Sequence, residues 1–204
     1  MASRRFKDRV VWITGASSGI GEALVHAFHK RGAHVVLSSN EPREIDRVTN
    51  ECGTGSAELM ALPMDLSHIE GMEEKAAAVM DKFGRVDVLV NNGGISQRAL
   101  AMETSLETDR RIMDIDFMGH VALTKAVLPG MIAQKSGHIV VTSSVMGLAS
   151  TPLRTMYCAA KHALHGFFNA LRAEVHEYGI KVLIVCPGGV QTGISTNAVA
   201  AGGS

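Results

Sequence analysis

The chain has 204 residues and a formal net charge of zero, and 46% of its residues are hydrophobic. This length suits one domain over residues 1–204, and the hydrophobic content is too high for a disordered chain. The balanced charge argues against nucleic acid or an anionic membrane surface as the main partner. No apolar run reaches membrane-spanning length and no signal peptide is recognisable, so we expect a cytoplasmic protein without a membrane anchor.

Metal and disulfide chemistry find no support in the sequence. Cys52, Cys158 and Cys186 are odd in number and lack the spacing of a metal or redox motif, which indicates reduced thiols. The nine histidines form no H-E-x-x-H pattern or other ligand cluster. We therefore expect no metal site.

Six short apolar segments alternate with helical segments along the chain. The predicted strands span 9–14, 33–38, 57–62, 86–91, 137–143 and 180–186, and the predicted helices span 19–31, 41–52, 68–83, 106–134 and 153–178. Such alternation implies right-handed crossovers and a parallel sheet with helices on both faces. The predicted fold class is α/β, a single Rossmann-type doubly wound sheet in the order 3-2-1-4-5-6, with ligands beyond the carboxyl ends of its strands.

A glycine-rich turn joins the first predicted strand to the first predicted helix. Its glycines follow the pattern G-x-x-x-G-x-G at Gly15, Gly19 and Gly21. Gly15 permits the tight turn, Gly19 lets the backbone approach a pyrophosphate, and Gly21 lets the helix pack against the strand. Because the backbone N–H groups at the helix start attract phosphate, this context predicts a dinucleotide site.

Near the other end, Tyr157 and Lys161 are four residues apart within a predicted helix, and Ser144 precedes the tyrosine by thirteen residues. Positions i and i+4 share one helix face. A positive charge ~4 Å from a phenolate stabilises it by roughly 4 kcal/mol at an effective dielectric of about 20. A Tyr–Lys pair alone is weak evidence, but together with the glycine turn it indicates acid–base chemistry beside a bound nucleotide.

Taken together, these motifs resemble those of the short-chain dehydrogenase/reductase family. The matching segments arrive in family order and cover essentially the whole chain: Thr14–Gly21, Asn91–Gly94, Ser144, Tyr157 with Lys161, and Pro187–Gly188. The stretch from Ala122 to Phe168 is similar to the member-7-like branch of that family. Relatives normally continue beyond the Pro-Gly turn with a seventh strand and a last helix, whereas this chain ends twelve residues after Thr192. We therefore expect the sixth strand to form an open edge of the sheet.

The resemblance implies a set of residues around a nicotinamide cofactor. The implied contacts are Gly15, Ser17, Ser18, Gly19, Ile20, Gly21, Ser39, Asn40, Asp65, Leu66, Asn91, Gly93, Tyr157, Lys161, Pro187, Gly188 and Thr192. Tyr157 is the expected acid/base, Lys161 stabilises its phenolate and bonds the nicotinamide ribose, and Ser144 holds the substrate oxygen. Asp116 stands where the family has an asparagine that completes a proton relay, so we expect turnover to be retained but weakened.

The residues after the second strand bear on the choice of cofactor. NAD enzymes carry an acid there for the ribose 2′-hydroxyl, and NADP enzymes carry an arginine for the 2′-phosphate. Ser39 occupies the acid's position and Asn40 the arginine's, while Arg43 could compensate for the missing arginine and Glu41 argues against a phosphate. The sequence favours NADP(H), with NAD(H) possible.

The function this implies is an NADP(H)-dependent oxidoreductase that interconverts a carbonyl and an alcohol. The alternative is a nucleotide-binding regulatory module with weak or no catalysis, which Asp116 and the short C-terminal part favour. A sugar-nucleotide epimerase or dehydratase is disfavoured by the three-residue gap between the first two glycines. By analogy with the member-7-like branch, the substrate is a lipophilic carbonyl or alcohol, and the protein forms a homodimer or homotetramer.

Overall fold

The computed structural model describes residues 6–53, 55, 57–194 and 197–201. Its six strands are parallel and form one sheet in the order β3-β2-β1-β4-β5-β6, which confirms the predicted topology. The strands are β1 (Val10–Thr14), β2 (His34–Ser38), β3 (Leu59–Ala61), β4 (Val88–Asn91), β5 (Gly137–Thr142) and β6 (Ile180–Val185). The α-helices are α1 (Gly19–His29), α2 (Pro42–Glu51), α3 (Met72–Phe83), α4 (Leu106–Met113), α5 (Gly119–Gln134) and α6 (Thr155–Glu174).

Both faces of the sheet are covered by helices, as predicted. Successive side chains of a strand point to opposite faces. Accordingly Trp12 of β1 packs in the cluster that contains residues of α3, α5 and α6, while the neighbouring Ile13 packs in the cluster that contains residues of α1 and α2. Strands buried on both sides must be apolar throughout, and β1 and β4 are buried along their whole length.

The predicted helix over 106–134 is divided in the structure. Between α4 and α5 lies a π-helical segment, Asp114–Met118, in which Asp116 is buried. Short π segments are rare and occur frequently at functional sites. The backbone also approaches closely here, because a Cβ on Gly119 would collide with the carbonyl oxygen of Leu66.

Other boundaries differ by a few residues from the predicted ones. The third strand is shorter than 57–62, the third helix begins at Met72 instead of residue 68, and the last helix ends at Glu174, after which a 3-10 turn spans His176–Tyr178. Of the helices in the described ranges, none is long and apolar enough to cross a membrane.

The open edge expected at the sixth strand is present among the described residues. β6 is the last strand of the sheet and pairs with β5 alone. Leu183 and Val185, at alternate positions of β6, are 56% and 40% exposed. The face of the sheet that α1 and α2 cover elsewhere is therefore partly bare at this edge.

Candidate active site

A cleft of about 560 Å³ opens beyond the carboxyl ends of the strands. Sixteen of the residues predicted from sequence line it: Gly15, Ser17, Ser18, Gly19, Ile20, Ser39, Asn40, Asp65, Leu66, Gly93, Ser144, Tyr157, Lys161, Pro187, Gly188 and Thr192. The glycine turn and the Tyr–Lys pair, which are far apart in the sequence, thus share one cavity.

The glycine turn forms a cradle with no room for side chains. Gly15 and Gly19 have φ values of 62° and 58°, a conformation that favours glycine. A Cβ on Gly15 would lie 2.7 Å from the Cα of Gly93, and one on Gly21 would collide with the carbonyl oxygen of Gly15. Gly21 itself lies behind the cleft wall. The backbone at the start of α1 is consequently exposed to a ligand, which is the arrangement a diphosphate requires.

The end of β4 is held against this turn by hydrogen bonds. The Thr14 hydroxyl oxygen accepts bonds from the backbone N–H groups of Asn92, at 2.9 Å, and Gly93, at 3.0 Å. Asn91 is fully buried and donates its side-chain amide to the Thr124 hydroxyl at 2.8 Å. The Asn91 side chain therefore lies behind the cleft wall, and the structure gives it a positioning role where the sequence predicted a cofactor contact.

The end of the cleft beside β2 and β3, which we call the acidic end, contains two carboxylates, Glu41 and Asp65. Ser17 donates its hydroxyl to a Glu41 carboxylate oxygen at 2.8 Å, and Ser39 donates to the Ser17 hydroxyl oxygen at 3.0 Å. This chain of bonds draws the exposed Glu41 side chain towards the glycine turn. Arg43, which could have compensated for the missing arginine, is exposed and does not line the cleft.

The opposite end, which we call the catalytic end, contains the tyrosine, lysine and serine. Tyr157 and Lys161 face the cleft from α6, and the lysine Nζ lies 5.4 Å from the tyrosine ring centroid. Ser144 caps a 3-10 turn by accepting a bond from the Met146 N–H at 3.1 Å, which leaves its hydroxyl hydrogen available to donate. The neighbouring Ser143 also lines the cleft, and its hydroxyl lies 3.0 Å from His165 Nε2.

Two histidines near the cleft belong to no sequence motif. His165 of α6 is half-buried, and its burial, followed by the nearby His162, lowers its pKa. His120 belongs to no motif, yet it is fully buried and its Nε2 donates to the carbonyl oxygen of Gly93 at 2.8 Å. Burial, followed by the charge of Lys161, lowers the pKa of His120 to about 3, so this histidine is neutral.

A buried ion pair lies beneath the catalytic end. Asp116 Oδ2 is 3.1 Å from Lys161 Nζ, and both side chains are almost completely buried. Asp116 Oδ1 accepts a hydrogen bond from the Ile95 N–H at 2.8 Å. Burial raises the pKa of Asp116, against the opposing effects of Lys161 and of the Ile95 N–H. The carboxylate faces the amine that was predicted to act on Tyr157, and it reduces the positive charge that reaches the phenol.

Two arginines at the catalytic end were also missed, since neither belongs to a motif. Arg111 of α4 and Arg154, immediately before α6, both line the cleft. Arg154 donates to the Ser96 hydroxyl at 2.5 Å, and its guanidinium carbon lies 5.9 Å from the Tyr157 ring centroid. Gln97 fixes the start of α6 by accepting a bond from the Met156 N–H at 2.9 Å.

Outside the cleft, the ligand atoms of Glu22, His26 and Glu51 lie within 4.8 Å of one another on the surface. Arg47 already pairs with both carboxylates, at 3.0 Å to Glu22 and 2.9 Å to Glu51. A cation would have to displace this guanidinium, so the cluster is explained by the ion pairs it makes.

The fold and the cleft together define a Rossmann-type dinucleotide-binding protein. The family model described as short chain dehydrogenase matches residues 9–202, and the chain belongs to this family.

Curated relatives confirm the likeness to the member-7-like branch. The chain is 48% identical to human Dehydrogenase/reductase SDR family member 7 over 198 residues, which are 95% of this chain and 58% of that protein. It is 41% identical to mouse Dehydrogenase/reductase SDR family member 7B over 202 residues, 97% of this chain and 62% of the relative. The chain thus spans less than two thirds of the length of these relatives.

Solved structures agree with the fold. A short-chain dehydrogenase/reductase from Burkholderia phymatum in complex with NAD superposes with a TM-score of 0.89 at 29% identity, covering 94% of this chain and 69% of the other. A metagenomic short-chain oxidoreductase in complex with NADP superposes with a TM-score of 0.86 at 30% identity, and the match covers 91% of this chain and 85% of the other. Levodione reductase superposes with a TM-score of 0.89 at 31% identity, and the match covers 95% of this chain and 76% of the other.

Proposed function

We propose that this protein is an oxidoreductase that interconverts a carbonyl and an alcohol with a nicotinamide cofactor. One observation carries the proposal: Tyr157, Lys161 and Ser144 line the same cleft as the glycine turn at the start of α1. A ligand that spans the cleft would place its phosphates on the turn and its far end beside the tyrosine.

The residues present fit such a cofactor. Gly15 and Gly19 line the cleft with backbone alone, and Gly21 packs behind them against the Gly15 carbonyl oxygen. The helix start beside this turn attracts phosphate. Gly93 would flank the adenosine ribose, and Pro187, Gly188 and Thr192 would flank the nicotinamide half. The bound cofactor supplies or accepts the hydride, while the protein supplies orientation and the proton.

The proton would be handled by three side chains in the direction of carbonyl reduction. Ser144 donates a hydrogen bond to the carbonyl oxygen and holds it in place, and Tyr157 transfers its hydroxyl proton to that oxygen. The Lys161 ammonium stabilises the phenolate that remains until solvent reprotonates it. In alcohol oxidation the same groups act in reverse, with the phenolate accepting the alcohol proton.

For the cofactor, the geometry of the acidic end favours NAD(H) over the predicted NADP(H). That prediction rested on the absence of a carboxylate at Ser39. The Glu41 carboxylate, drawn in by Ser17, restores a negative charge beside the glycine turn, and among the described residues no cation lines this end of the cleft. A 2′-phosphate would be repelled there, whereas a ribose hydroxyl could donate a hydrogen bond to Glu41.

A second candidate is the nucleotide-binding module with weak or no catalysis. The observation that favours it is the buried Asp116–Lys161 pair, which opposes the charge needed at Tyr157. The cytoplasmic location and the homodimer or homotetramer stay predictions.

One assay separates the two candidates. The protein is mixed with NADH or NADPH and a panel of ketones and aldehydes, and loss of the reduced nicotinamide absorbance is followed. Tyr157→Phe should lower kcat by about 100- to 10,000-fold, because it removes the general acid, while cofactor affinity is retained. Cofactor binding without turnover on any carbonyl would instead support the module.

A further inference from the structure

We propose that the carbonyl substrate carries a carboxylate, which Arg154 binds at the catalytic end of the cleft. The proposal rests on the proposed function and adds the chemical class of the substrate. It adds a negative charge to the lipophilic carbonyl or alcohol that the likeness to the member-7-like branch implies.

The charge of Arg154 has no partner of opposite sign among the described residues. Its guanidinium bonds the Ser96 hydroxyl and lies over the Tyr157 ring, and no described carboxylate lies within ion-pair distance. A guanidinium remains charged at any physiological pH and presents a planar fork that matches a carboxylate. Arg154 is half-buried in the cleft wall. Its positive charge can therefore be neutralised by an anionic group of a bound substrate.

Arg154 also lies beside the residue expected to protonate the substrate. The guanidinium carbon lies 5.9 Å from the ring of the tyrosine expected to protonate the substrate, so a bound carboxylate would lie close to the reacting carbonyl. The contact with Ser96 fixes the direction of the side chain, because Ser96 is 1% exposed and its backbone oxygen accepts a bond from the Val199 N–H at 2.7 Å. An arginine held in this way loses little further freedom when an anion binds.

The charge of the cleft also differs between its two ends. The acidic end contains Glu41 and Asp65, whereas the catalytic end contains Arg154, together with Lys161, which Asp116 already pairs. An anionic substrate is thus attracted to the catalytic end of the cleft and repelled from the acidic end.

The wall beyond Arg154 indicates what the rest of the substrate is. Val145, Val190 and Ile194 line the cleft and are 41%, 47% and 37% exposed. Exposed apolar side chains around a few convergent polar groups are typical of small-molecule sites. The substrate class inferred is an oxo acid or hydroxy acid with an apolar body.

The test compares an oxo acid with its neutral ester. Reduction of 3-benzoylpropionate and of methyl 3-benzoylpropionate is measured in the wild type, Arg154→Gln, Arg154→Lys and the control Arg98→Gln. Arg98 is an exposed arginine of the loop that contains Ser96, and it does not line the cleft. The ratio of kcat/KM for acid over ester should fall about 10- to 100-fold in Arg154→Gln, the effect of losing a hydrogen-bonded charge. Arg154→Lys should retain part of the preference, and Arg98→Gln all of it.

A binding measurement keeps this proposal separate from the proposed function. Calorimetry with 4-phenylbutyrate and methyl 4-phenylbutyrate, which lack the reducible ketone, should show the acid bound more tightly by the wild type and the preference lost in Arg154→Gln. That result without turnover of any carbonyl would reject the proposed function and retain the anion site. An acid-to-ester ratio unchanged by Arg154→Gln, or a wild type that binds both compounds equally, would overturn the anion site. Circular dichroism checks the fold of each variant. If Arg154→Gln does not fold, the anion site is judged from the acid-over-ester preference of the wild type and from its reduction in Arg154→Lys.

Discussion

The glycine turn and the catalytic end of the cleft differ in how they are built. The glycine turn is fixed mainly by backbone: the close approach of Gly15 to Gly93, the start of α1 and the bonds that the Thr14 hydroxyl accepts from the backbone after β4. The catalytic end depends on side chains whose charges oppose or reinforce one another, among them Asp116, Lys161 and Arg154. Features fixed by backbone follow from short sequence patterns, whereas the balance of charges depends on contacts that only the folded chain creates.

Of the substitutions at residues other than Tyr157 and Arg154, that of the buried His120 is expected to have the largest effect, a change in how the free energy of unfolding depends on pH. The pKa of His120 falls from 6.5 to about 3 on folding. Below pH 6.5 the unfolded chain therefore binds a proton that the folded chain does not, and the stability contributed by the neutral histidine is lost as pH falls. Near pH 5 the loss is about 2 kcal/mol.

His120→Gln keeps a donor for the Gly93 carbonyl and removes this titration. Urea unfolding at neutral pH and near pH 5 should show that the variant loses about 2 kcal/mol less stability than the wild type over that interval. His138→Gln, an exposed histidine of β5, is the matched control and should behave like the wild type. Equal acid sensitivity of His120→Gln and the wild type would show that His120 is not held neutral by burial.

Substitution of Asp116 tests how the charges of the catalytic end affect the activity of Tyr157. In Asp116→Asn the lysine charge is no longer opposed, so the phenolate of Tyr157 is stabilised. The acid limb of the pH–rate profile for alcohol oxidation should move down by about one pH unit, and turnover near neutral pH should rise about ten-fold. His120 is a further titratable group close to this pair, and it is neutral over the pH range of such a profile.

Asp114→Asn is the matched control for this variant, since Asp114 lies in the same π-helical segment and outside the cleft wall. Its pH–rate profile should match that of the wild type. A merely structural role for Asp116 would change thermal stability and leave the profile in place. A large loss of activity in Asp116→Asn would contradict the account of the ion pair.

A smaller effect is expected at the acidic end. Glu41→Gln removes the charge that a 2′-phosphate would meet, and NADPH affinity relative to NADH should rise about five-fold, a modest change because the side chain is exposed. Titration of both cofactors by nicotinamide fluorescence measures the ratio. Asp46→Asn, at an exposed acid of α2, the helix that begins directly after Glu41, should leave the ratio unchanged. A wild type that binds NADPH more tightly would restore the preference predicted from Ser39.

Much of the fold could be predicted because its signals are local. The alternation of apolar strands and helical segments determines a parallel sheet, and a strand, a glycine turn and a helix in succession mark the phosphate cradle at Gly15 to Gly21. The Tyr157–Lys161 spacing places both side chains on one face of α6, as the structure confirms.

The features of the fold and the site that could not be predicted depend on contacts between residues far apart in the sequence. The π-helical segment has no sequence signature, and Gly119 within the adjoining helix is packed against Leu66, far away in the chain. Glu41 is held beside the glycine turn by a hydrogen bond from Ser17, which lies 24 residues earlier in the chain. Arg154 is oriented by a hydrogen bond to Ser96, which lies 58 residues earlier. A single arginine or glutamate between motifs gives no sign of such a contact.

Isotope transfer shows whether a cofactor on the glycine turn meets a substrate beside Tyr157. NADH or NADPH labelled with deuterium at C4 of the nicotinamide is incubated with the protein and a carbonyl acceptor, and the alcohol is analysed by mass spectrometry. We expect deuterium on the carbinol carbon with the wild type, and almost none with a Tyr157→Phe variant that still binds the cofactor. Label transfer at the wild-type rate by Tyr157→Phe would show that Tyr157 does not donate the proton.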